Sequence, residues 1–419
     1  MGWLYLLLSA LGAAFTVNVW RPNASHPVLS TVSWLAGWLT GELALHAIAF
    51  QVVVTGVFAV FGAFEDGAGR LGLAVSVASW AGLGVAYIRG ERAGVAVERA
   101  LREGFGSAGA GPRAAHDWNR LALPIPKVPP GVQVQRGLQF ARVRGSNLRL
   151  DLYRPASSDT SERSPLLLQI HGGGWIMGDR RTQALPLLHT LAARGWACAS
   201  VDYRLSPAAT FPDHLVDVKR ALVWLRQQAD TYALDPDFVV VTGGSAGGHL
   251  ASLFALTAND PEYQPGFESA DTAVQGCISF YGVYDLADRA GDWPHDGVRR
   301  LLEERVMKDA VEEDPDAYER GSPLARAGAH APPFFVIHGD ADTLVPIGQA
   351  RRFVERLREV SDEPVLWAEI PGAQHAFECF WSARTHRVVD AAARFADELA
   401  RRRAVEATPA PALRGSVAL

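Results

Sequence analysis

The chain has 419 residues, 48% of them hydrophobic, with 40 Lys and Arg against 45 Asp and Glu for a net charge of -5. That balance leaves no basic footprint for neutralising phosphates and excludes a nucleic-acid binder. The three cysteines, Cys198, Cys277 and Cys379, are odd in number and fall in or near apolar runs, so no disulfide framework is expected.

From Met1 to Ile88 the charged residues are Arg21, Glu42, Glu65, Asp66 and Arg70 alone. Apolar stretches at 3–20, 42–64 and 71–88 are each close to the roughly 20 residues that cross a bilayer, so residues 1–90 are expected to form a transmembrane region of about three helices. A cleaved signal peptide is disfavoured because no Lys or Arg precedes the first stretch. Residues 27–41 carry Trp34 and Trp38 one helical turn apart, as interfacial anchors do, or else extend the second span and make a fourth. Arg89, Arg92, Arg99 and Arg102 follow the third stretch, whereas the 65–70 loop holds Glu65, Asp66 and one Arg. The positive-inside rule then puts the remainder in the cytoplasm, as part of an integral membrane protein. Residues 91–130 read as a juxtamembrane helix, a Gly- and Ala-rich joint at 104–111 and an extended Pro-rich linker.

Beyond 131, runs at 132–142 and 147–153 suggest a hairpin turning at Gly145. The strand at 166–170 ends in His171, Gly172, Gly173, Gly174 and Trp175. A helix at 183–194, a strand at 197–202 and a helix at 213–230 lead to Phe238, Val239, Val240, Val241 and Thr242, an unbroken β-run expected of a strand buried on both faces. That strand runs into Gly243, Gly244, Ser245, Ala246 and Gly247, with Leu250, Leu253, Phe254 and Leu256 following at helical spacing. Gly-x-Ser-x-Gly between strand and helix is the turn that projects a strained serine from a sheet edge. Attack by that serine on a carbonyl creates an oxyanion, for which the N–H groups of Gly173, Gly174 and Ala246 are the expected donors.

A serine needs a base, and the base a carboxylate, expected in the order Ser, acid, His. The strand at 333–337 leads to Asp342, taken as the acid; Asp340 competes but lies nearer the strand end, where it shapes the turn. The strand at 365–370 leads to His375, taken as the base, while His171, His249, His338 and His386 read as packing or loop-holding residues. Residues 288–313, charged and carrying Trp293, Leu301 and Leu302, read as a cap over the pocket or an ordinary surface helix. Trp175, Tyr203, Phe211, Tyr281 and Phe377 lie at the expected site edge, either lining a pocket for an apolar ester or serving as core. No metal-ligand cluster is present, and serine chemistry needs no cofactor. Strands and helices alternate through 131–403, which argues an α/β domain with a doubly wound, mostly parallel sheet; residues 404–419 read as a disordered tail.

His171 to Trp175, Asp202 to Pro207, Gly243 to Gly248, Asp342 to Pro346 and His375 to Phe377 resemble the hormone-sensitive-lipase-like branch of the α/β-hydrolase family, bacterial carboxylesterases in particular. The resemblance covers about residues 130–402. It implies an α/β-hydrolase fold preceded by transmembrane helices, and a serine carboxylesterase acting on a small-molecule or lipid ester through Ser245, Asp342 and His375. Many relatives carry an acidic residue before the nucleophile, where this chain has Gly244. A membrane-bound binding module on the same scaffold, or an amidase or acyltransferase with the same triad, are the alternative readings.

Overall fold

A computed structural model describes residues 1–109, 111, 115–156 and 163–407. The entry hairpin is β1 (Val132–Val143) and β2 (Ser146–Pro155); β3 (Ser164–Ile170), β4 (Ala197–Val201), β5 (Leu234–Gly244), β6 (Gly276–Phe280), β7 (Phe334–Gly339) and β8 (Val365–Ile370) follow. They form one eight-stranded sheet in the order β1-β2-β4-β3-β5-β6-β7-β8. β1 and β2 are antiparallel to their neighbours, and every pairing from β4 through β8 is parallel.

Because side chains alternate along a strand, the sheet has two apolar faces. Leu166, Leu168, Val239 and Val241 meet Leu215, Leu222, Leu250, Leu253, Phe353 and Leu357 on one, contributed by α7 (Asp213–Gln227), α8 (Ala246–Leu256) and α10 (Ile347–Val360). Leu167, Val240, Ile278, Phe335 and Leu366 meet Leu187, Leu191, Val388 and Phe395 on the other, from α6 (Leu185–Ala193) and α11 (Ala383–Ala407). The doubly wound parallel architecture expected from the alternation is present. α11 continues through residues 404–407, into what reads from sequence as a tail; residues 408–419 lie outside the described residues.

The described residues of 91–130 do not stand off from this body. α5 (Ala93–Phe105) buries Ala93, Val97, Ala100, Leu101 and Phe105 in the second face, with the Phe105 ring stacked 5.5 Å from Phe395. After a short helix, Trp118–Ala122, the extended segment is docked by Trp381 N–H donating to the Pro124 carbonyl at 2.8 Å. Sequence composition at 104–130, rich in Gly and Pro, hid the amphipathic pattern of the preceding turns. A fragment beginning near residue 125 would uncover the part of that apolar face on which α5 packs.

Four helices precede α5: α1 (Gly2–Trp20), α2 (Pro27–Glu42), α3 (Ala44–Val60) and α4 (Gly67–Glu91). Among the described residues, two helical stretches, Gly2–Trp20 and Gly67–Gly109, are long and apolar enough to cross a membrane; a third arises if α2 and α3, bent by 86°, count as one. Burial in these helices runs opposite to that of a soluble protein. Tyr5, Ser9, Thr16, Thr55, Ser76 and Ser79 are buried, while Trp3, Leu7, Leu11, Phe50, Val53, Val60, Leu71 and Ile88 are exposed. Hydroxyl bonds join the helices, including Tyr5 Oη to Thr55 Oγ1 at 2.9 Å and Thr16 Oγ1 to Ser79 Oγ at 2.7 Å. Tyr5 abuts Gly72, Thr16 abuts Gly82 and Arg89 lies over Trp20, so α1 and α4 run parallel. α3 runs against them, with Phe58 beside Tyr5 and His46 at the Ala122 carbonyl.

Candidate active site

Ser245 sits at the tip of β5, between Gly244 and the first residue of α8, with φ 59 and ψ -125. That strained conformation holds only if its neighbours lack bulk: a Cβ on Gly247 would lie 2.2 Å from the Ile170 carbonyl oxygen. The loop after β3 presses on the same turn. A Cβ on Gly172 would lie 2.5 Å from the Gly244 oxygen and 3.1 Å from the Ser245 Cβ.

Several side chains fix that loop. The Gly172 N–H donates to Gln183 Oε1 at 2.6 Å, His171 Nδ1 lies 2.8 Å from the Gly172 oxygen, and Tyr203 Oη donates to the His171 oxygen at 3.1 Å with the two rings stacked. Among the described residues, Gly173 and Gly174 N–H donate to no other group of the chain. The Ala246 N–H opens α8, where the first N–H groups of a helix have no partner within it. Leu301, on α9 (Gly297–Leu301), would lie 3.2 Å from a Gly174 Cβ. Leu301 therefore lies against the glycine loop, and the neighbouring Leu302 and Val306 are buried in the core.

On the loops after β7 and β8, His375 Nδ1 lies 2.6 Å from Asp342 Oδ2. Asp342 Oδ1 accepts the Leu344 and Val345 N–H groups at 2.9 Å each. Burial alone would raise the Asp342 pKa; the charge of His375 and the bonds from His338 and His375 outweigh it and hold the carboxyl below the usual range. Asp340 is turned elsewhere, accepting the Gly372 N–H at 2.5 Å and Arg89 at 2.8 Å. His338 Nε2 bonds to the Val345 oxygen at 2.9 Å, and His249 to the Gly321 oxygen at 2.7 Å. His386 packs on Trp381.

Tyr281 connects the elbow to the imidazole. Its ring lies 4.5 Å from that of His375, and its hydroxyl would be 2.7 Å from a Gly244 Cβ. A side chain before Ser245 has no room because Tyr281 Oη, which donates to the Glu378 carboxylate, occupies the space. An acidic group is thus present near the elbow, supplied through Glu378 from the loop after β8. Trp175, Tyr203, Tyr281 and Phe377, read as possible pocket lining, are 2%, 3%, 2% and 0% exposed, so they hold loops rather than line an open surface. Trp175 Nε1 donates to His249 Nδ1 and Phe377 packs on Tyr281. Phe211 is half-buried against Tyr263.

Sequence reasoning passed over Gln183 and Glu378, and gave Trp34 no part in the site. Glu378 had a signal, one carboxylate in the otherwise uncharged run from Phe377 to Trp381; Gln183 and Trp34 had none, since their partners are backbone atoms, the Gly172 N–H and the His375 carbonyl. Burial raises the Glu378 pKa to about 7. Its folded pKa therefore lies above its unfolded one, and native stability falls as pH rises from about 4.5 to 7. Glu378→Gln should melt a few degrees above wild type at pH 8 and no higher than wild type at pH 5, read by thermal unfolding in detergent.

The sheet order, the elbow and the late-loop His–Asp pair together are those of an α/β-hydrolase. The BD-FAE family model matches residues 150–357. The chain is 39% identical to the probable carboxylic ester hydrolase LipM of Mycobacterium tuberculosis, over 97% of this chain and 96% of LipM. It is 37% identical to esterase LipQ of the same organism, over 87% and 84%. A solved structure of Thermogutta terrifontis esterase 2, phosphonylated by sarin, superposes with a TM-score of 0.53 at 28% identity, covering 67% of this chain and 96% of that one. The chain belongs to the α/β-hydrolase esterase family that includes LipM and LipQ. The likeness to LipM extends over nearly the whole chain, N-terminal helices included, whereas the solved esterase matches about the share from β1 onward.

Proposed function

We propose that the protein is a membrane-anchored serine carboxylesterase. Ser245 Oγ attacks the ester carbonyl carbon as its proton passes to His375 Nε2, and Asp342 holds the imidazole in the required tautomer. The N–H groups of Gly173, Gly174 and Ala246 receive the oxyanion. Collapse breaks the C–O bond and the alcohol leaves with the proton from His375. Water, deprotonated by the same histidine, then releases the acid and restores Ser245. The observations that carry this reading are a strained serine at the tip of β5 and a histidine bonded at 2.6 Å to a buried carboxylate whose pKa is held low, with Tyr281 packed between the turn and the imidazole. The names of LipM and LipQ, a probable carboxylic ester hydrolase and an esterase, support the bond cleaved.

The anchor comprises α1, α3 and α4. Their reversed burial, small-residue contacts and interhelical hydroxyl bonds are what helix packing in lipid requires. α3 has 17 residues, about 26 Å at 1.5 Å per residue, close to the hydrocarbon thickness of about 30 Å. Three spans put the first residue and the catalytic domain on opposite sides, and the arginines from 89 onward place that domain in the cytoplasm. The full-length chain should sediment with membranes, resist extraction by high salt, dissolve in detergent and turn over p-nitrophenyl butyrate. Recovery in a high-speed supernatant would contradict the anchor; a folded detergent-solubilised protein with no turnover of butyrate or longer esters would contradict the esterase.

A further inference from the structure

α2 is the one N-terminal helix that does not run with the others. It joins α3 at 86° on the side where α1 and α4 end, and so lies across the spans at the level of the catalytic domain. Its inner face rests on both catalytic loops. Trp34 Nε1 donates to the carbonyl oxygen of His375 at 2.8 Å. Thr343, next to Asp342, donates its hydroxyl to the Ser30 oxygen at 3.0 Å while Ser30 Oγ donates back to the Thr343 oxygen. Glu42, at the end of α2, is buried against Arg384 and Ser382.

The outer face has the opposite chemistry. Ser30, Ser33 and Gly37 are buried, whereas Val28, Leu29, Val32, Leu35 and Leu39 are between 42% and 62% exposed. In water a docked helix turns its aliphatic stripe toward the protein; this one turns it away. α2 runs directly into α3, whose exposed apolar side chains, like those of α1 and α4, the anchor reading places in lipid. A helix that lies in the interfacial plane with such a stripe is buried in the headgroup and acyl boundary.

We infer, resting on that reading, that α2 lies on the cytoplasmic leaflet with Val28, Val32, Leu35 and Leu39 among the acyl chains, and that the active site it braces takes its ester from that leaflet. The substrate class is a bilayer-resident ester whose long hydrocarbon chain stays in lipid while its carbonyl reaches Ser245. α2 is both the membrane contact and the support of the loops that carry Asp342 and His375.

The test uses full-length protein in phosphatidylcholine nanodiscs and two substrates, water-soluble p-nitrophenyl butyrate and 4-methylumbelliferyl oleate carried in the bilayer. The variant Val32→Ser with Leu35→Ser changes side chains that are 60% and 48% exposed, and butyrate turnover reports that it is folded. The expected result is a loss of about tenfold in oleate turnover, with butyrate kcat/KM within twofold of wild type. Equal loss on both esters, or no loss on either, overturns the inference. A wild type that cleaves butyrate and leaves the bilayer ester intact overturns this inference alone, whereas failure to enter nanodiscs, or inactivity on both esters, overturns the proposed function with it.

Discussion

Ser245→Ala should lower kcat for p-nitrophenyl butyrate by roughly 10⁴- to 10⁶-fold, the loss typical when the nucleophile of a triad is removed. Chain geometry should survive, because alanine retains the Cβ and the turn is held by backbone contacts: Ser245 N–H donates to the Phe280 oxygen at 3.0 Å, and His249 N–H to the Ser245 oxygen at 2.9 Å. Neither bond uses the hydroxyl. The melting temperature should therefore stay within a few degrees of wild type while turnover disappears, a separation that a structural serine would not give. Activity within tenfold of wild type would remove Ser245 from the reaction.

Asp342→Asn is the second large effect, a fall of about 10⁴ in kcat. An asparagine there keeps an oxygen for the N–H groups of Leu344 and Val345, so the loop should hold its shape. The Oδ2 that faces His375 Nδ1 becomes an NH₂ donor. Imidazole must then carry its proton on Nε2, where it cannot accept one from Ser245. Asp342 has a depressed folded pKa, so its stabilising contribution is present above the ordinary Asp range near pH 4 and disappears as pH falls through its lower folded value. The stability gap between wild type and the variant should accordingly close in acid. Asp340→Asn is the control: its carboxylate serves Arg89 and Gly372, and a loss there as large as at Asp342 would reverse the assignment of the acid.

The sheet was legible because its strands are short apolar runs ending at glycine-marked turns, and the order of motifs along the chain follows the order of strands. Local chemistry also set Ser245, whose turn requires Gly243 and Gly247 at fixed offsets. Asp342 and His375 could be named only through strand order, since 33 positions separate them and nothing local marks their contact. The aromatic assignments were less legible. Trp175, Tyr203 and Phe377 lie near the site in sequence, but an aromatic beside a tight loop either faces a pocket or props the loop, and composition does not distinguish the two.

The contacts of the N-terminal part were not legible, for a related reason. Apolar content marks helices long enough to be candidate spans, and residues 1–88 supply such helices. It carries no information on how a helix is oriented relative to a partner folded from residues three hundred positions later. Thus Trp34 read as an interfacial anchor, and its second partner, the His375 carbonyl, emerged only from the fold. α5 likewise read as a juxtamembrane helix because its apolar face is interleaved with Arg99, Arg102 and Glu103 and followed by glycines, whereas its buried residues pack into one face of the sheet.

The central claim is that Ser245 is the nucleophile that His375 activates. Incubation of the full-length, detergent-solubilised protein with a fluorophosphonate, followed by peptide mass spectrometry, tests it most directly. One adduct on the peptide containing Ser245, absent from Ser245→Ala and formed far more slowly by His375→Ala, is the predicted result. An adduct on another residue, or an unlabelled wild type that remains folded, would contradict it.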